Sequence, residues 1–449
     1  MSSCNARRAA NVPPVRRAVI CAVAVAAFLA GAADAAVVAR NADDGVLALT
    51  PDGAPRVAYT AGGALFLASP RRDGSWASTR VGRLPSGRPR VAGLEIDDRG
   101  RAFVLVEDEG GRWLRLADRP RAAWRLRVVE RDLPFGAILG PAGLELDRVG
   151  RPAVGYAYRL PDRKTFLRLV TGGSFRTIGI TRAGFPESGS IPAATPVRMP
   201  DGKLRVLETY EARGGGAILW RHNGDDWRGL FLSSSVGGTS PVGPVFARAS
   251  GELFAAAWTL SGPAPGELQA RLAPRPDRPQ SNVLHRRARV EGLTLGPEGP
   301  VLAANEPVGG LAAGLLFDAA GAFELDGGLF GVEAGPGAWT HLLFRNDDGL
   351  AWYGRPAMPA LRVSLNVVGS SVDGVHLAGK VTGAFDGTVT LYREVPGSPR
   401  VLAGVAPVAA DGSFALVDLP AVRPLYYRAV YRDPASGIPY ASLLRRPVA

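Results

Sequence analysis

The chain has 449 residues, of which 46% are hydrophobic, with 57 glycines, 37 prolines and a formal charge of +12. That hydrophobic share excludes a largely disordered chain, and the length allows two or three domains with cores of their own. The glycine and proline load excludes an architecture of long helices and suits many short strands joined by turns.

The charge points to no particular partner. Of the 53 basic residues only Lys164, Lys203 and Lys380 are lysines, and the arginines are spread along the chain without a dense run. Such a pattern describes a solvated basic surface. A long-range attraction to anionic cell-wall polymers follows from it, whereas nucleic-acid binding has no motif behind it.

In chain order, the first element is a leader. Arg7, Arg8, Arg16 and Arg17 precede an apolar run from Ala18 to Ala30, and Ala33-Asp34-Ala35 supplies small residues for cleavage after Ala35. Residues 1–35 therefore read as a signal peptide, and the mature chain as secreted or extracytoplasmic. The run falls short of the roughly 20 apolar residues that span a bilayer, and no second run of that length follows. The Arg16-Arg17 pair admits a twin-arginine route. Cys4 and Cys21 both lie in the leader, so the mature chain is read as disulfide-free, with neither a cysteine nucleophile nor a cysteine-type zinc site.

From residue 36 a repeat sets the pattern. Glycine-centred turns recur at Gly53, Gly100, Gly150, Gly202, Gly251, Gly299 and Gly349, at a period of roughly 50 residues. Apolar strands flank these turns, such as Val46–Thr50 and Arg56–Tyr59, or Gly93–Asp97 and Ala102–Val106. A glycine turn between apolar runs is a hairpin signal, because glycine accepts the positive φ that tight hairpins require. A third strand follows in each repeat, and an aromatic residue opens the fourth at Trp76, Trp124, Phe175 and Trp227, with Phe323 in phase later. Four short antiparallel strands per repeat describe one blade of a β-propeller. The expectation for residues 36–358 is seven blades, with six as the alternative. The seventh repeat is short: Trp339–Arg345, the Asp347-Asp348-Gly349 turn, then Leu350–Gly354. The segment Ala36–Arg40 is placed to complete it and hide an open edge.

The turn Asp73-Gly74-Ser75-Trp76, with weaker relatives at Gly173-Ser174-Phe175 and Asn223-Gly224-Asp225-Asp226-Trp227, resembles the Asp box of sialidase-like propellers. The resemblance implies the fold over residues 36–358. It does not imply the activity, because the box is a structural turn remote from the family's active site.

Beyond Pro359 the period stops. Leu361–Val368, Val375–Thr382, Thr388–Arg393, Phe414–Val417 and Tyr426–Tyr431 alternate as strands around turns at Asp373-Gly374, Asp386-Gly387 and Asp411-Gly412. Residues 359–449 thus read as a β-sandwich, and Leu377–Arg393 followed by Ala410–Phe414 resembles the immunoglobulin-like units of bacterial secreted proteins. The whole chain is expected to be all-β.

No residue is assigned to catalysis, to a cofactor or to a metal. The sialidase resemblance implies an arginine cluster, a tyrosine–glutamate pair and an acid/base aspartate. The nearest first arginines, Arg56 and Arg90, lack the family's flanking residues. Glu208 and Tyr210 lie on one face of a strand and could share a site, while Glu211 faces the other way. His222, His285, His341 and His376 show no metal-ligand spacing and read as packing or surface residues. The acidic turns at Asp43-Asp44-Gly45 and Asn346-Asp347-Asp348-Gly349 match no full calcium loop. Gly214-Gly215-Gly216 reads as a strand connection, and Trp76, Trp124 and Trp227 as core. The resulting expectation is a secreted, non-enzymatic binding or scaffolding protein whose propeller face contacts a glycan or another surface protein. The alternatives are a divergent glycan-active enzyme and a protein held to the cell wall by charge.

Overall fold

The computed structural model describes residues 36–442 apart from short stretches, the longest at 181–190, 211–215, 233–239, 262–266, 274–281, 356–361, 395–400, 421–425 and 433–438. The leader, both cysteines, Glu211 and Trp339 lie outside the described residues, as does the side chain of Tyr210. The elements described are strands, and the fold is an all-β propeller followed by two further sheets.

Among the described residues, seven antiparallel sheets succeed one another between Ala36 and Arg355. Their innermost strands are Asp44–Leu49, Pro89–Ile96, Gly143–Leu146, Ala194–Arg198, Ser240–Ser250, Arg289–Gly296 and Leu329–Ala334. Each inner strand lies against the next, and the last returns to the first, so the ring closes around an axis. Apolar side chains between neighbouring sheets hold it together. Leu94 and Val104 meet Ala58 and Leu65 between the first and second sheets, and Leu105 and Leu116 meet Leu144 and Tyr156 between the second and third. Val197 and Leu207 meet Trp258 between the fourth and fifth, and Leu47 and Val57 meet Leu343 and Leu350 between the seventh and first. These side chains alternate with residues that face the axis, as a period of two requires.

A strand from early in the sequence closes the ring. Ala36–Ala39 pairs antiparallel with Gly349–Arg355 as the outermost strand of the seventh sheet, with Ala36 opposite Trp352 and Ala39 opposite Leu350. That sheet corrects one sequence expectation. In the first four sheets the recurring glycine turn, at Gly53, Gly100, Gly150 and Gly202, joins the inner strand to the next, while Gly251 lies outside the described residues. The turn ending at Gly349 instead joins the second strand, Thr340–Asn346, to the third, and the inner strand Leu329–Ala334 lies upstream of the interval that the period indicated. The early start compensates for the fourth strand that the N-terminal segment supplies. The aromatic marker holds in position: Trp76 and Trp227 open the outermost strands of their sheets and Trp124 precedes one, while Phe323 sits in the middle of Gly321–Leu325.

After the ring, Arg362–Ser371, Gly374–Thr382 and Ser413–Asp418 form one sheet, and Val401–Pro407, Thr388–Glu394, Tyr426–Arg432 and Pro439–Ala441 form another. Between them lie Leu365, Leu377, Val389, Leu391, Tyr427, Ala429 and Tyr431, all buried. This core runs on without a break into Ala303, Leu316, Leu329 and Leu342 of the sixth and seventh sheets.

Candidate functional site: the axial channel

The site grows out of a short pattern on the inner strands. Arg90-Val91-Ala92-Gly93-Leu94-Glu95 and Arg289-Val290-Glu291-Gly292-Leu293-Thr294 repeat the same order of charge, apolar residue, glycine, apolar residue and polar residue. Ala142-Gly143-Leu144-Glu145 and Phe330-Gly331-Val332-Glu333 repeat its second half. The register slips before the glycine between Val91 and Gly93, between Val290 and Gly292, and between Leu329 and Gly331. Such a bulge re-aims the side chains on either side of it. The glycines let neighbouring inner strands meet: a Cβ at Gly143 would stand 2.0 Å from Thr195 Oγ1, and one at Gly93 2.8 Å from Leu144 Cβ. The apolar residues of the pattern enter the cores between sheets, and the remaining positions line the channel.

The channel holds a cavity of about 250 Å³. At the end where the inner strands begin, its wall carries Asp44, Arg90, Glu109, Arg289, Glu291 and Asn305. Arg90 Nε lies 3.2 Å from Glu107 Oε1, and both side chains are nearly buried, at 14% and 9% exposure. Glu107 Oε2 also accepts the Ala142 N–H at 2.8 Å, which ties the second sheet to the third. Asp44 Oδ2 accepts the Val91 N–H at 2.7 Å and ties the first sheet to the second. Arg289 Nε lies 3.5 Å from Glu291 Oε1, with the arginine half exposed. Asn305 exchanges hydrogen bonds with the Leu329 backbone at 2.8 and 2.6 Å.

At the other end a second charged layer bridges the channel. Arg248 Nη2 stands 3.6 Å from Glu95 Oε1 and 3.5 Å from Glu333 Oε1, so the fifth sheet reaches both the second and the seventh. Thr294 donates to Glu333 Oε2 at 3.3 Å and accepts the Ala334 N–H at 3.1 Å. Glu145, buried nearby, accepts the Leu146 N–H at 2.9 Å.

Burial governs the protonation of these groups. It pushes the Glu291 carboxyl up to about 7, against the opposing pull of Arg289 and Arg90. It pushes Glu95 up to about 8, helped by the Glu145 carboxylate and opposed by Arg248. Asp44, Glu107 and Glu333 are also raised by burial, each opposed by an arginine. Burial works against the charge of Arg90 and Arg248, but the carboxylates around each outweigh it and hold both guanidiniums protonated.

Of the residues singled out in the sequence, Arg90 reaches the channel wall, although its neighbours had argued against it. Arg56 lies on the second strand of the first sheet, where its Nη1 donates to the Pro55 carbonyl at 2.9 Å. Glu208 is fully buried within the fourth sheet and accepts the Trp220 indole N–H at 2.8 Å. His341 is buried against Trp352, and burial pushes its pKa down to about 4. His222 packs on Trp227, His376 is exposed, and the side chain of His285 lies outside the described residues. Trp76, Trp124 and Trp227 are partly buried in the cores between sheets. The Asp73 turn closes as an Asp box does: Asp73 Oδ1 accepts the Ser75 N–H at 3.0 Å and the Ser75 hydroxyl at 2.6 Å. The same geometry recurs at Asp411 and Ser413. Glu95, Arg248, Arg289, Glu291 and Glu333 went unread in the sequence, although the glycine-centred pattern that carries most of them was visible there.

Chemically, the channel offers pairs. Each of its three arginines faces a carboxylate, and no tyrosine stands among the residues lining the cavity. The sialidase resemblance implies arginines left free for a substrate carboxylate and a tyrosine nucleophile; among the described residues of this lining each arginine is paired and no tyrosine stands, and the side chain of Tyr210 lies outside the described residues. Among the described residues no group of three or more histidine, cysteine, aspartate or glutamate side chains is placed to hold a metal ion. Among the described residues no helix is long and apolar enough to cross a membrane.

No protein-family model matches the chain, and no curated protein matches it. Among solved structures it is similar to a polysaccharide lyase described as a PL25 ulvan lyase bound to -[GlcA(1-4)Rha3S]-, at 11% identity and a TM-score of 0.47 over 71% of this chain and 95% of that one. It is also similar to the Hadza microbial sialidase Hz136, at 12% identity and a TM-score of 0.40 over 69% and 74% of the two chains. A third is the SapL1 lectin in complex with alpha methyl fucoside, at 14% identity and a TM-score of 0.43 over 64% and 96%.

Proposed function

We propose that this chain is a secreted, non-enzymatic binding protein whose channel mouth takes the uncharged, hydroxyl-rich end of a glycan. In this reading residues 1–35 are the export leader and 36–358 form a seven-bladed, sialidase-like propeller. Residues 359–449 form an immunoglobulin-like spacer between the propeller and its surroundings.

One observation carries the choice of ligand: carboxyl groups outnumber arginines at the mouth, with Asp44, Glu109 and Glu291 against Arg90 and Arg289, and Arg90 is further engaged from behind by the buried Glu107. A hydroxyl both donates and accepts, so it can bond to either member of an ion pair without stranding a charge. An anionic sugar would have to compete with Glu107 and Glu291 for the arginines they already engage. A cavity of about 250 Å³ lies just below the roughly 300–1,000 Å³ that hold drug-sized ligands, and so fits one sugar ring rather than a long segment.

The test is a screen of the cleaved protein against neutral and anionic glycans and purified cell-wall fractions, at low and at physiological salt. Retention of neutral glycans at physiological salt is the expected result. Binding only to anionic fractions, lost as salt rises, would replace this reading with attraction by surface charge. Release of shorter sugars during incubation would replace it with a glycan-active enzyme.

A further inference from the structure

A fully exposed phenylalanine stands on the same face as the channel mouth. The loop from the outermost strand of the second sheet, Arg125–Val128, to the inner strand Gly143–Leu146 returns at the end where inner strands begin. At its tip Phe135 is 103% exposed, and Ile138 beside it is 48% exposed. Single exposed apolar residues are common and ordinarily call for no explanation. This one is presented by a well-anchored support.

The Ala137 N–H donates to the Pro134 carbonyl at 3.0 Å and Gly136 has a φ of 78°, the pattern of a type II turn with Phe135 at its second position. That position suits proline or a polar residue, and nothing in the turn's geometry requires an aromatic side chain there. Leu133 and Ala137 on either side pack into the core between the second and third sheets, and Ile138–Leu139 pairs with Tyr158–Arg159 at the sheet edge. The support is therefore fixed while the phenyl ring faces water.

The turn is also joined to the mouth. The Leu139 N–H donates to the Gly111 carbonyl at 2.9 Å, and two residues before Gly111 stands Glu109, part of the channel wall. Asp108 secures this second loop by accepting the Arg88 N–H at 2.9 Å and pairing with Arg112 at 2.7 Å. Six residues of extended backbone and one hydrogen bond limit the separation of the Phe135 and Glu109 Cα atoms to roughly 25 Å. A short oligosaccharide spans such a gap.

We infer that Phe135, with Ile138, forms an outer subsite on which a further sugar ring of the same glycan stacks when its terminal ring occupies the channel mouth. The ring's negative face attracts the polarised C–H groups on the apolar face of a pyranose, and that contact tolerates many sugar identities. Charged pairs at the mouth would then select the terminal unit, while the exposed aromatic would add affinity for chain length. This inference rests on the glycan reading above.

The experiment compares a monosaccharide with the matching tetrasaccharide, both taken from the tightest neutral hit, on the wild type and on Phe135→Ala and Phe135→Trp. Expected is a tetrasaccharide affinity about tenfold weaker in Phe135→Ala and retained in Phe135→Trp, with the monosaccharide affinity equal in all three. Because the side chain lies outside the core, the alanine variant should keep the wild-type melting temperature. Tetrasaccharide binding unchanged in Phe135→Ala would overturn the subsite and leave the channel reading standing. Failure of the wild type to bind any glycan would overturn both. Loss of a protein partner in Phe135→Ala, with glycan affinities unchanged, would reassign the ring to protein docking.

Discussion

Arg90 and Glu107 lose most of their water on folding, and each makes the burial of the other tolerable. Removing one member strands a buried charge, which costs far more than the pair contributes. Glu107→Ala should destabilise the protein by about 3 kcal/mol, because it strips Arg90 of its ion-pair partner and the Ala142 N–H of its acceptor. Glu107→Gln keeps an acceptor for that N–H and should cost less. Urea unfolding midpoints of the two variants measure the difference, and equal losses would refute the double role. Glu95 and Glu291 make a second demand, this time on pH. Both stay protonated in the fold at pH values where the unfolded chain would ionise them. Their contribution to stability is full below about pH 4.5 and is lost as pH rises through 7 to 8. The depressed carboxyls of Asp52, Asp108 and Asp147 act in the opposite sense, and their contribution is lost as pH falls through the acid range. The melting temperature should therefore peak at mildly acidic pH and fall toward pH 8, and Glu95→Gln should flatten that fall. An identical slope in the variant would show that Glu95 does not titrate there.

At the scale of elements, the recurring turn was the most legible feature, because its chemistry is local. Asp97 accepts the Arg99 and Arg101 N–H groups at 3.0 and 2.8 Å and pairs with the Arg101 side chain at 2.6 Å. Asp147 does the same with Val149 and Arg151 one repeat later. Gly100 and Gly150 supply the positive φ that closes both turns, at 73° and 72°. Counting glycines misled at Gly349, since a period records spacing but not which pair of strands a turn joins. The inner-strand glycines were harder to read. Their backbone is ordinary, and their reason is the approach of a neighbouring strand far away in sequence. Gly143→Ala tests that reason: its Cβ would press on Thr195, which is itself buried, and should cost about 1–3 kcal/mol by overpacking. Gly62→Ala would meet no atom within 4 Å, so its penalty is limited to the backbone strain of a positive φ. Thermal unfolding of the two variants separates crowding from conformation.

At the scale of the molecule, ring closure and the channel are one design. Seven inner strands can face one axis only if the last sheet meets the first, and Ala36–Ala39 completes that last sheet. A chain shortened by residues 36–40 would expose the edge of Gly349–Arg355, and the account expects a lower melting temperature and concentration-dependent association. A shortened chain that stayed monomeric with unchanged stability would refute the closing role. The fold was legible because repeats of hydrophobic pattern and turn chemistry are written locally in the chain. The channel was not, because its groups come from different sheets and carry no shared motif beyond glycine followed by an apolar and a polar residue. Glu95, Arg248 and Glu333 stand far apart in sequence and meet only when the ring closes.

The most direct measurement is a calorimetric titration of the tightest neutral glycan into the wild type and into Glu291→Gln and Arg289→Ala, at physiological salt. Both substitutions lie on the mouth and outside the inter-sheet cores, so the fold should persist, with melting temperatures near that of the wild type. The account predicts an affinity at least tenfold weaker in each. Undiminished binding in both variants, with the fold intact, would place the ligand elsewhere and contradict the channel mouth as the site.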